Sequence, residues 1–97
     1  MLVITSTTAR ELLPQNRMRK SFVVQNIDSS INVFIKKERN SALTVTSADF
    51  DFRLGPGASI ALNSMLDGTE SIQDRFTVIA ESGTPSVSIF ETEDITR

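Results

Sequence analysis

Residues 53–62 read "RLGPGASIAL". A Gly-Pro-Gly stands between two apolar alternations, and three kinds of loop use such glycines: a phosphate cradle, a ligand loop and a corner between strands. A Walker-type cradle needs Lys-Ser/Thr after its glycines and a helix behind them. Here Ala58 and Ser59 lead straight into alternating Ile60 and Leu62. The glycine fingerprint of dinucleotide folds is missing too. The corner remains: Pro56 presets φ at the second turn position, and Gly57 supplies the positive φ that a type II turn requires at the third. The stretch predicts a tight connection between two antiparallel strands.

Period-two alternation continues on both sides of that corner. Upstream, Phe22 and Val24, then Ile31, Val33 and Ile35, then Phe50, Phe52 and Leu54 occupy every second position. Downstream, Phe76, Val78 and Ala80, then Val87 and Ile89 do the same. Each segment reads as a half-buried antiparallel strand, and "LVITS" at 2–6 is a further strand candidate. The predicted core is Phe22, Val24, Ile31, Val33, Ile35, Phe50, Phe52, Leu54, Ile60, Leu62, Phe76, Val78, Val87 and Ile89.

Turn chemistry separates the segments. In "NIDSS" at 26–30, Asn26 and Asp28 can bond their own backbone. In "ESGTPS" at 81–86, Gly83 is free to take positive φ and Pro85 limits entry to the last strand. Both predict hairpin connections. Residues 64–74 read as a longer crossover, and 38–48 as a polar loop with room for a short strand at "LTVT". The single helical candidate is "TTARELLP", capped by Thr7 or Thr8 and ended by Pro14. The fold class expected is all-β: a small antiparallel β-sandwich or barrel of about six to eight strands. Residues 1–16 read as an N-terminal arm or edge strand and 17–97 as one sandwich domain.

Ninety-seven residues make one domain. A hydrophobic fraction of 39% and a charged fraction of 23% are ordinary for a globular protein. The longest apolar runs are a few residues, too short for a membrane helix, and the first fifteen residues lack the pattern of a signal peptide. The net charge of −2 argues against nucleic-acid binding. Residues 1–40 hold seven Lys/Arg against three acids, and residues 41–97 hold three Arg against nine. Either strands from the two halves interleave and mix these charges, or the molecule has a basic and an acidic side.

The composition removes much chemistry. There is no histidine and no cysteine. Ser-His-Asp and Cys-His catalysis, thiolate zinc sites and disulfides are excluded together. A Ser-Lys pair has residues to draw on but no signature. Asp49 and Asp51 fall on one strand face, which suits a solvated outer surface better than a calcium site. Without Trp or Tyr, stacking platforms for bases or sugars lack their usual residues. No enzyme, cofactor or metal is expected. Arg17 and Arg19 share a strand face, suited to phosphate, to solvent or to salt bridges with acidic strands. Phe34 and Phe90 stand out of register with the inward sets, so each either covers a second small core under a loop or forms an exposed spot for a partner.

Three stretches in order carry a resemblance: "RKSFVVQNIDSSINVFI" (19–35), "FRLGPGASIAL" (52–62) and "RFTVIAESGTPSVSIFE" (75–91). This order resembles small β-sandwich structural proteins of tailed bacteriophages, of the capsid decoration and head-fibre type. The resemblance implies a non-enzymatic virion protein made in the host bacterial cytoplasm. Such a protein docks on the exterior of the coat lattice, as a homo-oligomer with a trimer among the options. Neither nucleic acid nor membrane is an expected partner. The interface residues expected on this reading are Arg17, Arg19, Phe34, Lys36, Lys37, Arg39 and Phe90. The alternatives are a receptor-binding module of a fibre and a neck or tail connector.

Overall fold

The computed structural model describes residues 2–3, 8–38, 43–63 and 73–93. Its strands are β1 (Leu2–Val3), β2 (Arg10–Leu13), β3 (Arg19–Asn26), β4 (Val33–Lys37), β5 (Phe52–Leu54), β6 (Ser59–Asn63), β7 (Phe76–Ala80) and β8 (Ser86–Glu93). They form two four-stranded antiparallel sheets, ordered β1-β8-β3-β6 and β2-β7-β4-β5. The chain is an all-β sandwich.

The order has a simple origin. β1 pairs with β8, β2 with β7, β3 with β6 and β4 with β5. These are the nested rungs of one long hairpin folded at the β4–β5 loop. Rolling it up sends alternate rungs to opposite sheets, and β8 then docks on β3 and β7 on β4. This is the strand order of a jelly roll.

The alternating residues meet between the sheets. Phe22, Val24 and Val87 from one sheet pack with Leu12, Leu13, Val33, Ile35, Leu54, Phe76, Val78 and Ala80 from the other. Phe52, Ile60, Leu62 and Ile89 close the rim of this cluster. Phe22 and Phe76 bridge the layers with ring centroids 5.0 Å apart at 60°, a tilted geometry that suits the ring quadrupoles. Truncating either ring would cost about 3–5 kcal/mol.

The Gly-Pro-Gly corner is a type II turn. The N–H of Ala58 donates to the Gly55 carbonyl over 3.0 Å, and Gly57 has φ +75°. It is not a hairpin, because β5 and β6 lie in different sheets. The same holds for 26–32 and 81–85: each joins strands of opposite sheets. In the first, Asp28 Oδ2 accepts the N–H groups of Ser30 and Ile31, both at 2.9 Å. In the second, Gly83 takes φ +59°. Local chemistry sets where the chain reverses, and sheet pairing sets which strand it meets next.

Other expectations are corrected. The helix expected at "TTARELLP" is absent from residues 10–13, which form edge strand β2. Two helical turns gain too little alone, whereas pairing with β7 inserts both leucines. A register irregularity between Glu11 and Leu13 turns Leu12 and Leu13 inward together. Residues 10–13 therefore belong to the sandwich. Phe50 leaves the predicted core: β5 begins at Phe52, and a bend at Asp51 sends the ring to the outer side. Ile31 is half-buried at the end of the sandwich, beside Gly83. "LTVT" forms no strand; Thr46 and Asp49 close a small isolated bridge. Most of the 64–74 crossover lies outside the described residues.

Candidate functional site

The outer faces of the two sheets are unlike. That of β2-β7-β4-β5 is covered by the chain itself. The segment 43–51 lies along β4, where Lys36 Nζ donates to Thr44 Oγ1 at 2.8 Å and to Asp49 Oδ2 at 2.7 Å. The Lys37 N–H donates to Asp51 Oδ2, and the Asp51 N–H to the Ile35 carbonyl, both at 2.8 Å. Phe34 packs on Phe50 at 4.8 Å, and Val45 is fully buried. Glu38 accepts from the Thr44 N–H, the Thr44 hydroxyl and the Thr77 hydroxyl. Burial pushes the Glu38 carboxyl up, but these hydrogen bonds outweigh it and hold the group below its ordinary value.

The outer face of β1-β8-β3-β6 has no such cover among the described residues. Val23 stands opposite Phe90 on one side and Ala61 on the other, which gives a row across three strands. Phe90 is 65% exposed and Val23 38%. Gln25, Ser59 and Ser88 flank the row at one end, and the hydrogen-bonded Ser21–Thr92 pair at the other. None of these side chains is charged.

Six of the seven predicted interface residues lie among the described residues, and these six are not brought together. Arg19 is 1% exposed. Its Nε lies 2.7 Å from Glu91 Oε2, Nη1 donates to the Asp74 carbonyl at 3.1 Å and Nη2 to the Pro14 carbonyl at 2.6 Å. The guanidinium also stands 6.0 Å from the Phe22 ring centroid. Simple alternation would point Lys20 inward; the irregularity between Arg19 and Ser21 turns Arg19 in instead. Phe34 is buried under its loop. Lys36 and Lys37 are engaged by Asp49 and Asp74. Arg39 lies outside the described residues. Arg17 and Phe90 are the two that stand exposed. Of the two fates open to the out-of-register phenylalanines, Phe34 takes the covered one and Phe90 the exposed one.

The ion pairs Arg19–Glu91, Lys36–Asp49, Lys37–Asp74 and Glu11–Arg75 each join the first forty residues to the rest. They mix the charges of the two halves. Among the described residues four polar or charged side chains are buried, Arg19, Asn26, Glu38 and Thr77, and all are hydrogen-bonded within the fold. Among the described residues no buried side-chain polar atom lacks a partner, and no three Asp or Glu are grouped to hold a metal. Val23 and Ala61 escaped the sequence reading because each is ordinary within its own strand. Only the register between strands makes them neighbours.

Comparison with protein-family models, with curated proteins and with solved structures finds no match. Fold and surface together define a jelly-roll sandwich with one side covered by its own loop and, among the described residues, an exposed Phe90–Val23–Ala61 row with uncharged cross-strand neighbours on the other.

Proposed function

We propose that this protein is a non-enzymatic virion structural protein, a capsid decoration protein of the tailed-phage type. It would dock on the coat lattice through the open face of the β1-β8-β3-β6 sheet. The observation that carries the reading is the exposed Phe90–Val23–Ala61 row with uncharged cross-strand neighbours, set against an opposite face that the chain covers itself. An apolar centre with a neutral polar surround is the composition of an interface core, where charges are depleted. The order of the stretches at 19–35, 52–62 and 75–91 supports the phage setting. Of the residues first expected at the contact, Arg19, Lys36 and Lys37 already have acceptors inside the fold, and Phe90 is the exposed one on this face.

The test is the copy number of this chain in purified particles, by quantitative mass spectrometry against the coat protein. One copy per coat subunit, or one per symmetric lattice position, supports decoration. A handful of copies moves the protein to the neck or tail, and absence from particles overturns the virion reading. On isolated shells, Phe90→Asp should abolish binding and leave the melting temperature unchanged, since the ring is mostly in solvent.

A further inference from the structure

We infer that β6 is a self-pairing edge, through which two copies of this chain join their sheets about a two-fold axis. The sandwich has four edge strands, and three carry devices that discourage pairing. β1 has two residues. β2 is interrupted by a register shift and bears Arg10 and Glu11. β5 has three residues with Arg53 at its centre. β6 has none of these: Ser59–Asn63 contains no charge and no proline, and pairs with β3 in unbroken register over five residues. Among the described residues nothing pairs with its other side.

A second copy is the occupant that the residues favour. In an antiparallel pair, residues directly opposite point to the same face. A two-fold axis through Ala61 sets Ile60 opposite the partner's Leu62, and Ser59 opposite the partner's Asn63. Ile60 and Leu62 both pack against the core, so the core sides of the two sandwiches become continuous. Ala61, exposed and small, meets its own copy on the axis with room to spare. A shift of one residue would set core-side positions against solvent-side ones. No charges are opposed across this pairing. The result is one eight-stranded sheet, β1-β8-β3-β6 continued by the same strands in reverse, with both open faces on one side. This inference does not depend on the virion reading.

Five residue pairs make a small contact, so a concentration-dependent dimer is expected rather than a permanent one. Sedimentation equilibrium of the full chain should show the mass moving from the 10.7 kDa of one chain toward twice that value as concentration rises to millimolar. Ala61→Lys and Ala61→Glu should each stay at one chain mass, with unchanged circular dichroism. An equimolar mixture of the two should recover the double mass, because Lys then stands opposite Glu. A wild type that remains at one chain mass throughout overturns the inference, whether or not it binds shells. So does a mixture of the two variants that stays monomeric, or an Ala61→Lys chain that dimerises like the parent.

Discussion

Arg19 and Glu91 meet at 2.7 Å with their surroundings unequal: the guanidinium is wholly enclosed, while the carboxylate keeps about a third of its surface in solvent, 32%. The pair ties β3 to β8, and the remaining guanidinium donors hold the carbonyls of Pro14 and Asp74. Removing the enclosed guanidinium empties its buried site and leaves both carbonyls without this donor, whereas Glu91 keeps part of its carboxylate in water. Arg19→Ala should cost about 3–5 kcal/mol in urea unfolding. Glu91→Gln, which keeps an acceptor beside Arg19, should cost only about 1–2 kcal/mol. Equal losses would show that the two ends of the pair are equivalent.

Asn26 joins three segments. Its Nδ2 lies 2.7 Å from the Ile31 carbonyl, 3.0 Å from that of Leu54 and 3.2 Å from that of Gly55. Two N–H groups are thus shared among three acceptors. Asn26→Asp is nearly isosteric but sets a carboxylate against carbonyl oxygens in a buried site. It should destabilise by more than about 3 kcal/mol at neutral pH, and more than Asn26→Ala. Thermal melting of the two variants checks the order.

Gly57 and Gly55 stand at the same turn under different constraints. A Cβ at Gly57 meets nothing within 4 Å, but φ is +75°. At Gly55 a Cβ would lie 3.6 Å from Asn32 Oδ1, an ordinary contact. Gly57→Ala should therefore cost about 1–2 kcal/mol through the backbone alone. Gly55→Ala should be close to neutral. The difference in urea midpoint between the two variants measures the turn's strain directly.

Acid should loosen the 43–51 segment first. Glu38 holds its proton less tightly in the fold than in the unfolded chain. The unfolded state therefore binds more protons as pH falls through the ordinary glutamate range near about 4.3. Stability present above that range is lost below it. Asp28 acts in the same direction, chiefly through the Ser30 N–H. Glu38→Gln should flatten the decline between about pH 5 and pH 3, and cost about 1–2 kcal/mol at neutral pH. Hydrogen exchange at Thr44 should rise in the same interval, because its N–H donates to Glu38.

The strands and corners were legible because their signals are local. Phe22 and Val24 alternate within one strand, and Pro56-Gly57 fixes its own turn. What the residues could not declare was partnership. Gly83 and Asp28 mark reversals faithfully, yet the strands they join lie in different layers, since that depends on β7 finding β2 and β4. Arg19 was misplaced because one extra residue in β3 reverses the inward side, and an irregularity of that kind has no composition of its own. Leu12 and Leu13 were hidden likewise, as two adjacent buried residues mimic a helix start as well as a bulged strand. The open face was least visible: Val23, Ala61 and Phe90 become a surface only through the register of three strands.

The nested pairing also has a consequence in time. Leu2 and Val3 pair with Val87 and Ser86, so β1 waits until β8 has been made. During translation β4 and β5 can close as soon as Leu54 has left the ribosome. β3 must wait for β6, and β2 for β7. Distant pairing of this order makes folding slow relative to chain length. Until β8 emerges, β3 has only β6 beside it in its sheet, and β1 has no partner among the described strands. A chain that ends before residue 86 should therefore be open to protease and chaperone along the side of β3 that β8 would cover.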